Sequence, residues 1–175
     1  MPKYKTSDGD EGYDSSYEDD KGERFSPKKN LGQGFYAKAR KFKSDTPFKE
    51  KVNAARKVVV LSPVNNEAWD EEEVSRKIRF FTRVYPDKYT NYFQDKKRAI
   101  VPYIKGKSLD DDKVSELFQN PQERIPLFKT IAEKIKSANE KGLVIIDIHA
   151  GNILYDFKGK TCFLIALHVL SVEIS

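Results

Sequence analysis

The feature that most constrains the fold is a long amphipathic segment that runs directly into a polar loop between two short apolar runs. Residues 122–139 repeat apolar side chains at helical spacing, and Gly142 suits the left-handed residue that ends such a helix. The residues that follow, up to Leu154, carry Asp147 and Asn152 five positions apart. The sequence therefore predicts a helix, a tight loop that presents a carboxylate and an amide, and then a hairpin. The apolar face of the helix is predicted to contain Ile125, Phe128, Ile131, Ala132, Ile135 and Ala138.

Composition restricts the class of protein. The chain of 175 residues is 38% hydrophobic, which is enough for a buried core. The single cysteine, Cys162, excludes an internal disulfide and indicates a reducing compartment. The longest apolar run, residues 162–172, is shorter than the roughly 20 residues that a membrane span needs. We therefore expect a soluble, cytoplasmic protein without a membrane span, with export by a route that needs no apolar signal peptide as the alternative.

Charge is distributed unevenly along the chain. Residues 1–24 hold eight acids and four bases, whereas the whole chain has a net charge of +5. Because residues 1–28 lack apolar periodicity, we expect them to form a disordered acidic tail. The bases of the remaining chain alternate with acids along predicted helix faces, as in residues 67–83, which is typical of a solvated surface. We therefore expect no dedicated nucleic-acid site, and nucleotide phosphates would equally explain a positive cleft.

Two segments in the first half of the chain predict strands. Residues 31–42 place Gly32 and Gly34 at a turn that is followed by a possible strand. Glycines at such a turn let backbone N–H groups approach a phosphate closely, although a plain hairpin turn explains the same pattern. Residues 57–61 form a short β-branched run that predicts a buried strand.

A helix and another strand are predicted next. Asn66 is the predicted N-cap of a helix from Glu67 to Tyr85, which has acids in its first turns. Residues 98–109 then combine an apolar strand with a proline and glycine turn, and a short helix over residues 110–118 follows. The buried face of the long helix is predicted to contain Val74, Ile78, Phe81 and Tyr85.

These segments, in this order, resemble the protein kinases and the aminoglycoside and choline kinases. The kinase catalytic loop has an aspartate, four residues, an asparagine and then an aliphatic pair, and Asp147 and Asn152 fit this motif. The residues between them are most similar to those of the small-molecule kinases. Residues 31–42 resemble the glycine-rich loop of kinases. Residues 55–57 match the Ala-x-Lys motif of the kinase strand that carries the phosphate-binding lysine. Residues 98–109 resemble the strand and hinge that join the two kinase lobes.

The resemblance covers residues 31–168 and implies an α+β, bilobal protein-kinase-like fold. A small lobe with an antiparallel sheet and one main helix would span residues 29–104, with the hinge at its end. A mostly helical large lobe would occupy residues 105–175 and stop after the catalytic loop and its hairpin. Since the chain ends at Ser175, before an activation segment would follow, we expect this lobe to be incomplete.

The resemblance further implies ATP and Mg²⁺ as cofactors. Asp147 would be the catalytic base toward a hydroxyl acceptor, and Asn152 would be a catalytic-loop residue that binds Mg²⁺. Gly32 and Gly34 would surround the phosphates. The acceptor would be a protein serine or threonine, with a small molecule as the alternative partner.

The same resemblance assigns a lysine and a glutamate to the nucleotide site. Lys57 would pair with the phosphates and with Glu73 on the following helix. An alignment on the three valines instead brings Leu61 to the lysine position, and another register brings Lys77 to the glutamate position. The alternative sources of the positive charge are Lys41 and Lys43.

The hinge would bind the adenine. The resemblance puts Val101 beside the ring, with the backbone of Pro102 and Ile104 at its edge. Because proline has no N–H, any donor there must come from a neighbouring residue.

One departure from the family pattern weakens the expected chemistry. Ala166 stands where the pattern has the aspartate that binds Mg²⁺, and alanine offers no oxygen ligand. His149 and His168 do not replace it, because Mg²⁺ prefers oxygen. We therefore expect phosphoryl transfer to be absent or severely impaired. The alternative is a pseudokinase-type module that binds nucleotide or protein without transfer.

Overall fold

Within its described residues the chain combines an antiparallel sheet with three α-helices and several short hairpins, so its class is α+β. The computed structural model describes residues 17–18, 24–33, 37–44, 57–64, 68–93 and 96–172. Its strands are β1 (Tyr17–Glu18), β2 (Arg24–Gln33), β3 (Lys38–Ser44), β4 (Lys57–Ser62), β5 (Asn91–Tyr92), β6 (Ala99–Pro102), β7 (Lys107–Ser108), β8 (Leu143–Ile145), β9 (Ile153–Asp156), β10 (Thr161–Leu164) and β11 (Val169–Ser171). Its helices are α1 (Glu71–Val84), α2 (Asp112–Leu117) and α3 (Pro121–Glu140).

The chain divides into two compact units. The sheet unit consists of Met1–Ile78 and Asp87–Tyr103, and the loop unit consists of Arg79–Pro86 and Ile104–Ser175. The division after Tyr103 lies one residue before the predicted boundary. Residues 79–86, which were predicted in the first domain, belong to the loop unit.

The sheet unit is built on six antiparallel strands in the order β1-β2-β3-β4-β6-β5. Strand β4 is the β-branched run predicted to be buried, and five of its six residues are buried. Because side chains alternate across a strand, Val58 and Val60 point to one face of the sheet and Val59 to the other. The first face carries the hydrophobic core of this unit, formed by Phe25, Phe42, Val58, Val60, Phe93 and Ile100.

Regular structure begins earlier than the sequence predicts. Strand β1 covers Tyr17–Glu18, strand β2 starts at Arg24, and Phe25 is completely buried, so the predicted disorder of residues 1–28 is wrong for residues 17–18 and 24–28. The physical reason is the single aromatic side chain of Phe25, whose ring lies 5.5 Å from that of Tyr89. One large apolar residue offsets much of the ordering cost of a strand but produces no periodic pattern.

Helix α1 begins later than predicted. Asp70 caps it, since its Oδ1 accepts the Glu73 N–H at 2.8 Å, and Glu71 is the first helical residue. The predicted N-cap Asn66 and predicted first residue Glu67 lie outside the described residues. The acids in the first turn favour this end of the helix through its dipole.

Helix α3 confirms the segment predicted over residues 122–139, with a corrected orientation. Its cap is Asn120, whose Oδ1 accepts the Gln122 N–H at 3.0 Å, and Gly142 follows its end with a φ of 79°. Leu127 is buried, whereas two residues of the predicted apolar face, Ile125 and Phe128, are 69% and 56% exposed. Ile131 and Ala138 of the predicted face are buried as expected, together with Leu127, and the helix packs against β8 and β10.

Two short sheets complete the loop unit. Strands β10, β9 and β7 form one of them, and β11 pairs with β8 in the other. The β9–β10 hairpin is the predicted one, with a turn at residues 157–160. Within the described part of the chain, no helix is long and apolar enough to cross a membrane.

Candidate functional site

The loop between β8 and β9 contains the predicted site, and its first end is fixed by β11. Ile145, the last residue of β8, pairs with Val169 in the antiparallel ladder. The next N–H, that of Ile146, donates to the His168 carbonyl oxygen at 3.1 Å. The chain therefore enters the loop from a paired strand.

The second end of the loop is held by backbone hydrogen bonds from several directions. The Asn152 N–H donates to the His149 carbonyl at 2.9 Å and closes a 3-10 turn over Ala150–Asn152. The Ile165 N–H donates to the Asn152 carbonyl at 2.9 Å. From the segment before α2, the Leu109 N–H donates to the Ala150 carbonyl at 3.1 Å. These bonds make the loop a rigid connection between paired elements.

Asp147 and Asn152 lie on the loop between β8 and β9, and their side chains contact each other. The Asn152 Nδ2 donates both to the Asp147 main-chain oxygen and to its Oδ2, each at 2.9 Å. Oδ2 also accepts the Leu167 N–H at 3.3 Å. The other carboxylate oxygen, Oδ1, is buried and has no hydrogen-bond partner within the described residues. A carboxylate with one satisfied and one free oxygen is suited to accept a proton or a hydrogen bond from a ligand.

His149 shapes the turn beside this carboxylate. Its Nδ1 accepts the Gly151 N–H at 3.1 Å, so the neutral ring carries its proton on Nε2. A Cβ on Gly151 would lie 3.0 Å from Cε1 of this ring and 3.5 Å from an Asp110 carboxylate oxygen. The close approach explains why glycine occupies this position. The contact between His149 and Gly151 was not predicted, because only the folded turn brings the ring close to the backbone.

The residues present do not fit the Mg²⁺ that the resemblance implies. Ala166, at the expected aspartate position, is 1% exposed and offers no oxygen. The amide nitrogen of Asn152 is bonded to Asp147, which leaves its oxygen as the one predicted ligand atom. In the described residues no three His, Cys, Asp or Glu side chains form a metal-binding group.

The glycine turn is described only in part. Gly32 lies in β2, where its backbone pairs with Ala39 of β3. Gly34 lies outside the described residues. The pairing of β2 with β3 is nevertheless the hairpin that residues 31–42 predict.

Lys57 opens β4 at the hinge end of the sheet and is exposed. Its main-chain oxygen accepts the Tyr103 N–H at 3.1 Å, and its cross-strand partner on β3 is Lys43. Leu61 lies four residues further along β4 and is 4% exposed, on the same face of the sheet as Val101. Lys57 and Leu61 therefore lie on the same face of the sheet, at opposite ends of β4.

Glu73 is not brought together with Lys57. Among the described residues its carboxylate pairs with Arg76 at 3.1 Å and with Lys77 at 3.2 Å, both on α1. Lys77 is only 2% exposed, and its ammonium group lies 5.4 Å from the centre of the Trp69 ring. The sequence pattern suggested a surface charge at Glu73, whereas the structure gives it a buried cationic neighbour.

The predicted hinge residues end the central sheet. Val101 is 3% exposed and pairs with Val59, and Pro102 is buried. Because hydrogen-bonded and non-bonded pairs alternate in an antiparallel ladder, the Pro102 carbonyl points away from β4. The Tyr103 N–H is used within the sheet. The Ile104 N–H, by contrast, has no partner among the described residues.

One tyrosine of the loop unit has a strongly altered titration. The Tyr85 hydroxyl donates to the Leu164 carbonyl at 2.8 Å, at the end of β10. Burial is the main cause that raises the pKa of Tyr85, to about 12. Burial also raises the pKa of the Cys162 thiol on the same strand. Both groups are therefore neutral at physiological pH.

Comparison with the models of known protein families gave no match, and comparison with curated proteins gave none. The candidate site accordingly rests on its geometry and on the sequence pattern. The sequence pattern did not predict one participant of the loop. The Leu167 N–H contributes through the backbone, which residue identity does not reveal.

Proposed function

We propose that the chain is a protein-kinase-like phosphotransferase domain with a bilobal fold, in which phosphoryl transfer is absent or severely impaired. The observation that carries the proposal is the bonded pair of Asp147 and Asn152 in a loop fixed at both ends. A kinase catalytic loop uses an aspartate to orient the substrate hydroxyl and an asparagine, five positions later, on a metal. The spacing and the contact between the two side chains agree with that arrangement.

The order of elements supports the same proposal. The β2–β3 hairpin, the buried strand β4 and strand β6 of the sheet unit occur in the order that the resemblance implies, and helix α1 lies between β4 and β6 in the chain. In the loop unit, helix α3 precedes the loop, and the β9–β10 hairpin follows it. The pairing of β8 with β11 adds a contact that the sequence did not predict.

ATP is the proposed ligand, and the hinge backbone supports it. The carbonyl of Pro102 points out of the β4–β6 ladder and suits the amino group of adenine, which is a donor. The Ile104 N–H, which lacks a partner in the described part of the chain, suits a ring nitrogen. Pro102 cannot supply the donor itself, so the two roles fall on two residues. Val101 offers a buried apolar neighbour for the ring.

Ala166 is the reason for impaired transfer. In kinases an aspartate-bound Mg²⁺ bridges the phosphates and neutralises the charge that develops during transfer. Alanine supplies no ligand, and the Asp147 carboxylate beside it already accepts two N–H groups through Oδ2. The acceptor of any residual transfer would be a hydroxyl, on a protein serine or threonine or on a small molecule.

A second candidate is a pseudokinase-type module that binds nucleotide or protein without transfer. The observation that favours it is the Leu167 N–H, which donates to Asp147 Oδ2 from the residue after Ala166. This bond helps to hold the carboxylate without a cation. Such a module would contain the folded loop but would not transfer a phosphoryl group.

Thermal melting with ATP, with and without Mg²⁺, separates the two candidates. An impaired enzyme gives a shift that depends on Mg²⁺ and a slow transfer of γ-phosphate that Asp147→Asn abolishes. A binding module gives a shift of the same size with and without Mg²⁺ and no transfer. If ATP at millimolar concentration shifts neither the wild type nor Asp147→Asn, the proposed nucleotide site is wrong.

Ala166→Asp tests the inferred metal position without relying on activity. The new carboxylate would be buried beside Asp147, so we expect the variant to melt below the wild type in the absence of divalent cations. Mg²⁺ should recover most of that loss by mass action and should leave the wild type unchanged. An equal Mg²⁺ response in the two proteins would show that residue 166 is not the metal position.

A further inference from the structure

The face of the sheet opposite the core cluster carries lysines at one end, whereas Val59 and Val101 on the same face are buried. Phe42 and Val58 are buried in the core, so their neighbours along β3 and β4 point to the other side. There, Lys43 and Lys57 are direct cross-strand partners, and Lys41 lies opposite Val59. We call Lys41, Lys43 and Lys57 the lysine face.

The lysine face lacks compensating charge in the described residues. Like charges directly opposite each other on a sheet destabilise it, and Lys43 and Lys57 are both exposed. The Lys41 ammonium group lies 4.1 Å from the centre of the Tyr103 ring, which itself carries no formal charge. No carboxylate forms an ion pair with any of the three lysines within the described part of the chain. An anionic group is the expected complement.

The chain itself contains such a group next to this sheet. Residues 7–20 include seven acids and no base. Within this run, β1 is attached to the sheet edge, with Tyr17 opposite Phe25 and Glu18 opposite Arg24. The next residue of β2, Ser26, is the cross-strand partner of Lys43. The acidic run is therefore tethered beside the row of the sheet that contains two of the three lysines.

We propose that residues 7–16, which lie outside the described residues, bind the lysine face of their own chain. The tether is two strand spacings, roughly 10 Å, from β3. Ten residues reach about 33 Å when extended, which is long enough to span from β1 to the exposed Lys43 and Lys57. The tether also gives the acids a high effective concentration, which favours this contact over free anions. The contact is independent of whether the protein binds ATP.

Zero-length carbodiimide cross-linking of the dilute full-length chain tests the contact, because it joins only amines and carboxylates that touch. We expect cross-links in the monomer between Lys43 or Lys57 and the acids Asp8, Asp10, Glu11 and Asp14. Their yield should fall strongly at 1 M salt, where the screening length is about 3 Å. Cross-links found only in dimers would assign the contact to a second copy and overturn the proposal. Equal yields on Lys88, an exposed lysine away from this face, would also overturn it.

Amine acetylation gives an independent measurement on a variant that leaves the described core intact. Asp8→Asn, Asp10→Asn, Glu11→Gln and Asp14→Asn are combined to neutralise the run. We expect the acetylation rates of Lys43 and Lys57 to rise about two- to five-fold, the effect of a few exposed ion pairs, while that of Lys88 stays constant. Unchanged rates at Lys43 and Lys57 would overturn the proposal.

Discussion

Asn152→Ala removes both side-chain hydrogen bonds that join the two ends of the predicted catalytic loop. One bond ends on the Asp147 carboxylate and contributes about 1.5–3 kcal/mol, and the other ends on a neutral carbonyl and contributes about 0.5–1.5 kcal/mol. Since the contacts are only partly buried, we expect the free energy of unfolding to fall by about 2–4 kcal/mol. That is a large part of the roughly 5–15 kcal/mol of an ordinary domain.

Urea unfolding gives the total loss, and amide hydrogen exchange locates it. The Leu167 N–H donates to the same carboxylate, so its exchange should accelerate in Asn152→Ala. Asn139→Ala is the matched control, because Asn139 is exposed on α3 and the same atoms are removed. We expect it to change stability by no more than about 0.5 kcal/mol. If Asn152→Ala stays within that range and leaves Leu167 exchange unchanged, the bonded loop is not the support that the structure indicates.

Two further predictions concern the frame of the loop unit. Tyr85 holds its proton more tightly when folded, so stability should fall as the pH rises from 10 toward 12, by up to about 2 kcal/mol. In Tyr85→Phe this part of the pH dependence should disappear. The variant should also lose about 1 kcal/mol of stability at neutral pH, because its hydrogen bond to the Leu164 carbonyl is gone. Urea unfolding midpoints across a pH series measure both effects. An unchanged pH profile would contradict the burial argument. Gly106→Ala should cost about 1–3 kcal/mol in urea unfolding, because its Cβ would lie 3.1 Å from the backbone oxygen of Tyr155. Gly159→Ala is its control, since there the closest atom ends a flexible side chain, and equal losses would contradict the steric reasoning.

Periodicity and capping residues predicted the elements that local chemistry determines. Helix α3 was predicted to within two residues, because Asn120 and Gly142 mark its ends in the sequence. Strand β4 was predicted because four consecutive apolar residues, three of them valines, are too short for a buried helix and favour a strand. Asp147 and Asn152 were predicted to lie on one loop because they are five positions apart between the end of a helix and a hairpin.

Long-range packing explains what the sequence did not predict. Phe25 is buried in a core that includes Phe42 and Val60. The sequence around residue 25 has no local pattern that predicts this burial. Ile125 and Phe128 fit a helical period, yet packing against β8 and β10 buries Leu127 instead. The position of Lys57 beside Tyr103 was also not predictable from local sequence, because it follows from the register of β4 against β6.

The alanine at position 166 also changes what the loop needs in order to stay folded. Two carboxylates close together repel each other and need a cation or a shared proton. Ala166 is buried and adds no second carboxylate, and the N–H groups of Asn152 and Leu167 hold the Oδ2 of Asp147. The loop can then keep its shape without a metal, although its Oδ1 remains without a partner in the described residues. The Asp147–Asn152 contact therefore stabilises the loop whether or not the protein catalyses a reaction.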